Sequence, residues 1–188
     1  MRGSDPDQEH LLNMREVDLY SAVLKLFRKK AFAFVEVPYQ GKHVDLVFST
    51  SQIRYLYAVE VKTINWRGAI KQAALNQLFA QLSYVALPAE IVNRLSDQDR
   101  TIFTKHHVGL IAVGTKAMIE IPAVRNGFLH PTHHKAVKNM LRAANASLIP
   151  KDLGVLTDAI ANRSRTLDVL QAWSNERERT LQTTPRDI

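Results

Sequence analysis

The chain has 188 residues, 46% of them hydrophobic, a net charge of +7 and no cysteine. This suffices for one cored domain, or one with a small appendage, and excludes disulfides and thiolate metal sites. No run of roughly 18 apolar residues occurs, which excludes a transmembrane helix and any membrane partner.

The basic balance favours a polyanionic partner. It is uneven: residues 1–100 hold 13 Lys/Arg against 11 Asp/Glu, whereas residues 101–188 hold 12 against 7, so the excess lies in the second half. The polar start has no signal-peptide pattern, which together with the lack of cysteine fits a cytoplasmic protein. Residues 1–10 are expected to be disordered, and Met1 to Ser4 read as an expression leader.

Leu11 to Lys30 reads as an amphipathic helix, with Val17, Tyr20, Leu24 and Phe27 at helical spacing. Glu16 lies near its start, an ordinary place for a solvated acid, and that reading is preferred. Phe32 to Val37 reads as a first strand. Its Glu36 is either a further acid at a functional site or an edge charge that blocks aggregation. After a turn at Gln40 to Lys42, Val44 to Phe48 is a second strand and bears Asp45. Ile53 to Thr63 is a third, completing a meander, with Glu60 and Lys62 near its end.

Asn65 reads as the N-cap of a helix from Trp66 to Ser83. Arg67 and Lys71 share one face of it and could reach phosphates. Gln77 and Gln81 read as solvated, and Trp66 as a buried aromatic rather than a base-stacking one. Tyr84 to Pro88 is a fourth strand, parallel to the third because it follows a crossover helix. Ala89 to Thr104 reads as one helix, Val108 to Val113 and Ala117 to Ile121 as two more strands.

From Pro122 the character changes. Asn126, Gly127 and Pro131 mark loops. His130, His133 and His134 have no cysteine or acid nearby, so exposure or an imidazole facing phosphate is preferred over zinc. Helices are expected at Lys135–Ala146, Lys151–Ala161 and Ser164–Arg179, before a disordered tail from Thr180. Between Glu120 and Asp152 there is no acid. Arg125, Lys135, Lys138, Arg142 and Lys151, with His133 and His134, read as a surface for a nucleic-acid backbone.

One constellation carries chemistry. Strand alternation puts Glu60 and Lys62 on one face and Val59 and Val61 on the other. If the second and third strands pair antiparallel, Asp45 converges on the same spot. Two carboxylates and an ammonium there suit a hard divalent cation and a water that it activates. On an exposed strand such a pair would be an ordinary solvated face. The apolar run from Leu56 to Val61 instead reads as buried, where a carboxylate needs a partner, a proton or a metal.

Asp45, then Glu60 and Lys62 on the next strand, then a helix, resembles the PD-(D/E)xK nuclease superfamily over residues 12–122. Val44 stands where the family's name implies proline. The absence of a Gly-x-Gly-x-x-Gly argues against a Rossmann unit. The resemblance implies an α/β fold of the restriction-endonuclease-like kind: a mixed central sheet flanked by helices, here with a helical C-terminal extension. The expected domains are a core over 11–122, a basic helical extension over 123–179 and a tail over 180–188. The implied function is a Mg²⁺-dependent endonuclease acting on DNA, with Mn²⁺ able to substitute. Asp45, Glu60 and the Val61 carbonyl would hold the metal, Glu36 being a further acid. Lys62 would position the attacking water and Gln72 would orient the Lys or the water. An acid on the first helix, here Glu16, often lies near the site in such nucleases. The alternative is a catalytically silent, nuclease-like module that binds nucleic acid. A homodimer is kept open under both readings.

Overall fold

The computed structural model describes residues 14–147, without 28, 31 and 126. The expected disordered start, the helices at 151–161 and 164–179, Lys151 and the tail lie outside these residues. The chain runs α1 (Glu16–Leu26), β1 (Phe32–Tyr39), β2 (Lys42–Ser49), a 3-10 turn (Ser51–Ile53), β3 (Leu56–Val61), α2 (Trp66–Asn76), β4 (Leu82–Pro88), α3 (Ala89–Asn93), α4 (Asp97–Lys105), β5 (Gly109–Val113), β6 (Ala117–Ile121) and α5 (Pro131–Ser147).

The strands form one open six-stranded sheet in chain order. β1, β2 and β3 are an antiparallel meander, β3, β4 and β5 run parallel, and β6 returns antiparallel. The fold is therefore α/β with a mixed sheet flanked by helices, as expected. Local chemistry sets the turns. Gln40 and Gly41 both have positive φ, 50° and 74°, in the two-residue link between Tyr39 and Lys42. Such a link matches the strand twist when its residues are left-handed, which glycine adopts freely. The Asn65 side-chain oxygen caps α2 by accepting from the Gly68 N–H at 3.0 Å.

Several expected elements differ: α1 ends at Leu26 rather than Lys30, and α5 begins at Pro131, read from sequence as a loop marker, rather than at Lys135. α2 ends at Asn76 rather than Ser83, because Gln81 is drawn into the sheet. Its N–H donates to the Leu56 carbonyl and its side-chain oxygen accepts from the Leu56 N–H at 2.7 Å. The helix expected over 89–104 is two, since Ser96 opens a new one in a capping box with Asp99. β3 starts at Leu56, as Gln52 and Ile53 have φ of 63° and 50° and belong to the turn.

Each sheet face is covered. On one, Leu19, Tyr20, Val23 and Leu24 of α1 and Phe27 at its C-cap are buried, and Phe27 stacks on Phe48 at 4.5 Å. On the other, Ala69, Ile70 and Ala73 of α2 pack with Val85, Leu87, Phe103 and Leu110. Beside them Val137 and Leu141 of α5 pack on Val47, Leu56, Ala58 and Phe79. So α5, expected in the extension, covers the sheet. Among the described residues no helix is long and apolar enough to cross a membrane.

Candidate active site

The β2–β3 ladder runs from Ser49 opposite Leu56 to Leu46 opposite Val59, and stops. The next rung would join Asp45 to Glu60. Instead the Asp45 carboxylate accepts from the Val61 N–H at 2.6 Å. A side chain thus satisfies a buried backbone donor that the neighbouring strand no longer reaches. β3 stays on β4 through Val61 opposite Ala86, and the Lys62 N–H reaches the Ala86 carbonyl. The two strands part at the level of the acids, at the C-terminal end of β3.

β1 breaks its pattern at the same level. Val35 faces Leu46 and Val37 faces Val44, which leaves Glu36 beside Asp45 with φ of +52°. The core side of β1 changes from Phe32 and Phe34 to Val37 and Tyr39 across this residue. A left-handed glutamate in a strand costs roughly 1–3 kcal/mol. It directs Glu36 to Tyr20 of α1, whose hydroxyl donates to it at 2.9 Å.

Lys62 is held from the α1 side. Its ammonium donates to Glu16 at 2.8 Å and to the Val61 carbonyl at 3.0 Å, and lies 3.5 Å from Asp45. Glu60 is held from the α2 side, accepting from the Asn76 amide at 2.6 Å. Asp45 and Glu60 are only 7% and 2% exposed. Burial first, then Glu36 and Glu16, pushes the Asp45 carboxyl above its usual range against the pull of Lys62 and the Val61 N–H. Burial and Asp45 push Glu60 up to about 7, with Asn76 and Lys62 opposing. Burial works against the Lys62 charge, yet Asp45 and Glu16 outweigh it and raise its pKa. Burial, Asp45 and Glu36 also raise Tyr20, which keeps its proton.

Two carboxylates, Glu16 and Asp45, therefore hold the Lys62 ammonium, with Glu60 close enough to act on its charge and Glu36 beside Asp45. The donors expected for a metal, the Asp45 and Glu60 carboxylates and the Val61 carbonyl, are all hard oxygens, and the carboxyl pKa values are raised by burial first and by neighbouring acids second. This chemistry fits Mg²⁺ or Mn²⁺. Among the described residues, however, no three His, Asp or Glu side chains already surround one point as a cage. The Lys62 ammonium sits on two of the three expected donors.

The structure brings Asp45, Glu60, Val61 and Lys62 together, with Glu36 beside them. Gln72 is half-buried and makes no hydrogen bond among the described residues. The α2 side chain that reaches the site is Asn76, one turn further on. Its signal was in the sequence: it continues the buried stripe of Ala69, Ile70 and Ala73 at helical spacing. Glu16 is not the solvated acid preferred from sequence, since it holds Lys62; nothing in its local sequence marks this. Gln77 and Gln81 are buried rather than solvated, and Gln77 donates to the His106 carbonyl at 2.8 Å.

The expected phosphate contacts are dispersed. Arg67 pairs with Asp99 at 2.8 Å and lies over the Trp66 ring, which itself stacks on Phe103 in the core. Lys71, Lys135 and Arg142 are exposed and Lys138 is half-buried. Arg142 reaches the Gln52 carbonyl at 3.4 Å. The histidines neither cluster for zinc nor stand free. His134 Nδ1 donates to the Phe79 carbonyl at 2.7 Å, His133 bonds the Tyr39 hydroxyl at 2.9 Å, and the His130 N–H reaches the Leu78 carbonyl. Together they dock the start of α5.

No family model matches the chain, and no curated protein does. A solved structure, a protein of unknown function from Silicibacter pomeroyi, is similar. The two are 17% identical with a TM-score of 0.50, over 71% of this chain and 92% of that one. The likeness is one of fold.

Proposed function

We propose that the chain is a metal-dependent endonuclease that hydrolyses DNA phosphodiester bonds. One observation carries this reading: Asp45, Glu60 and Lys62 converge where β2 parts from β3, with both carboxylates buried. Asp45, Glu60 and the Val61 carbonyl would hold Mg²⁺ or Mn²⁺, which supplies Lewis acidity toward water and the phosphate oxygens. Lys62 donates hydrogen bonds to the attacking water or to the crowded phosphate, a role confined to the transition state. Glu16 keeps that ammonium beside Asp45. Asn76 fixes the Glu60 carboxylate in one rotamer. The raised pKa of Glu60 makes cation and proton compete for one carboxylate.

The test is incubation of duplex, single-stranded and branched DNA with Mg²⁺, Mn²⁺ or EDTA. Wild type is expected to cut at least one form with metal and none with EDTA. Lys62→Ala is expected to lose about a hundredfold or more in rate while its DNA affinity stays within a few-fold. A Lys62→Ala enzyme that cuts like wild type would overturn the assignment. DNA binding without cutting in any metal would instead favour the silent binding module.

A further inference from the structure

We propose that the opposite end of the sheet, where β3 begins, binds single-stranded nucleic acid, with Tyr55 as the base-stacking platform. Arg125 lies over this ring and Lys30 over the Tyr57 ring, while Lys29 and Arg54 are the chain neighbours of Lys30 and Tyr55. Tyr55 is 43% exposed. Its backbone is fixed, because Thr50 and Tyr55 exchange N–H to carbonyl and N–H to hydroxyl bonds at 3.2 Å. The Arg125 guanidinium lies 5.8 Å from the Tyr55 ring centre. Lys30 sits 4.1 Å over the Tyr57 ring and donates to its hydroxyl at 3.0 Å. Lys29, Arg54 and Arg125 are exposed.

Two explanations of this charge compete with a ligand. Helix dipoles alone would place bases here: α1 and α4 each begin with acids and end with a base. That accounts for Lys25 and Lys105, but Arg54 and Arg125 lie on no helix. Solvated ion pairing is the other. Among the described residues the ion pairs are Arg15–Asp18, Lys62 with Glu16 and Asp45, and Arg67–Asp99, none of which involves this group. Cations clustered without acids repel one another and favour an anion. An exposed ring among them adds a preference. In a duplex the base faces are hidden in the stack, whereas a single strand can lay a base on a tyrosine while its phosphates meet the surrounding charges.

The reading does not rest on cleavage, and its test separates the two. Binding of a short fluorescein-labelled oligothymidylate to the full chain is followed by anisotropy in EDTA, at several salt concentrations. Tyr55→Ala is expected to weaken binding about tenfold or more, and Tyr55→Phe to keep it within about twofold. Arg54→Ala with Arg125→Ala should lower the slope of log K against log salt by about 1.4. Because the titration is run in EDTA, where no metal-dependent cleavage occurs, a failed nuclease assignment leaves this result standing. The proposal is overturned if Tyr55→Ala binds like wild type. It is equally overturned if a duplex of the same length binds as tightly and shows the same tyrosine dependence.

Discussion

The two ends of the sheet solve opposite electrostatic problems. At the C-terminal end of β3, Asp45, Glu60 and Glu16 act on one ammonium with Glu36 beside Asp45, and two of the acids are almost fully buried. At the end where β3 begins, Arg125 lies over the exposed Tyr55 ring and Lys30 over the half-buried Tyr57 ring, and among the described residues neither base makes an ion pair. Helix direction prepares both: α1 and α4 run antiparallel to β3, β4 and β5, so their positive N-termini lie at the acidic end. The difference lies in burial. Buried like charges raise pKa values and create a demand for a cation, while exposed like charges remain ionised and recruit a polyanion. On the two proposals, one end carries the chemistry and the other the grip.

The sharpest way to break this contrast is to remove the acid at its centre. Asp45→Ala is expected to abolish Mn²⁺ binding in a calorimetric titration. It also strands the buried Val61 N–H, at a cost of about 1–3 kcal/mol. Asp45→Asn keeps an acceptor for that N–H, so it should fold more stably than Asp45→Ala and still fail to bind metal. Binding by Asp45→Asn equal to wild type would show that the acidic end is a structural charge cluster.

Much of the acidic end was legible in the sequence, and the reasons are local. The pairing of β2 with β3 and the apolar run around Glu60 placed Asp45, Glu60 and Lys62 near one another, but the shared strand face expected for Glu60 and Lys62 is not what forms: Lys62 lies past the end of β3 and turns to Glu16 of α1, while Glu60 accepts from Asn76 of α2. The parallel pairing of β4 with β3 followed from the crossover helix. What alternation could not show is that Asp45 leaves the ladder to cap the Val61 N–H, or that Glu36 turns left-handed beside it. Both depend on how two neighbouring strands diverge, a tertiary event. Glu16 was misread because a first-turn acid looks the same whether it faces water or Lys62. Asn76 and the break before Ser96 had readable signals: a polar residue in an apolar stripe, and a Ser with Asp three residues on.

A smaller effect sharpens the same contrast through pH. The folded state raises Glu60 from 4.5 to about 7, so it binds that proton more tightly than the unfolded chain does. The stability linked to this proton is fully present below pH 4.5 and is lost as pH rises through about 7. The gap corresponds to at most about 3 kcal/mol. Glu60→Gln cannot ionise and still accepts from Asn76. It should therefore match wild type in stability near pH 4 and exceed it at pH 8 in EDTA. Mn²⁺ should raise the wild-type melting temperature at pH 8 and leave that of Glu60→Gln unchanged. Parallel stability curves for the two proteins from pH 4 to 8 would mean that Glu60 carries no such burden.

The smallest expected effect concerns where the grip ends. Lys135, Lys138 and Arg142 recur at spacings of three and four on α5, whose Val137 and Leu141 are buried against the sheet. Replacing the three with alanine leaves that apolar seam and the histidine contacts at the start of the helix untouched, so the fold should persist. If all three meet phosphates of duplex DNA, the slope of log K against log salt should fall by about 2.7 without a change in base preference. Arg142 differs from the other two, for it reaches the Gln52 carbonyl, a few residues before Arg54 and Tyr55. Arg142→Ala alone therefore separates two geometries. A fall of about 0.9 for the single variant and no further fall for the triple would confine the grip to the end of the sheet. An unchanged slope in both would turn α5 toward solvent or a protein partner, and leave phosphate contact beside the acidic end to Lys71, since Arg67 is already paired with Asp99.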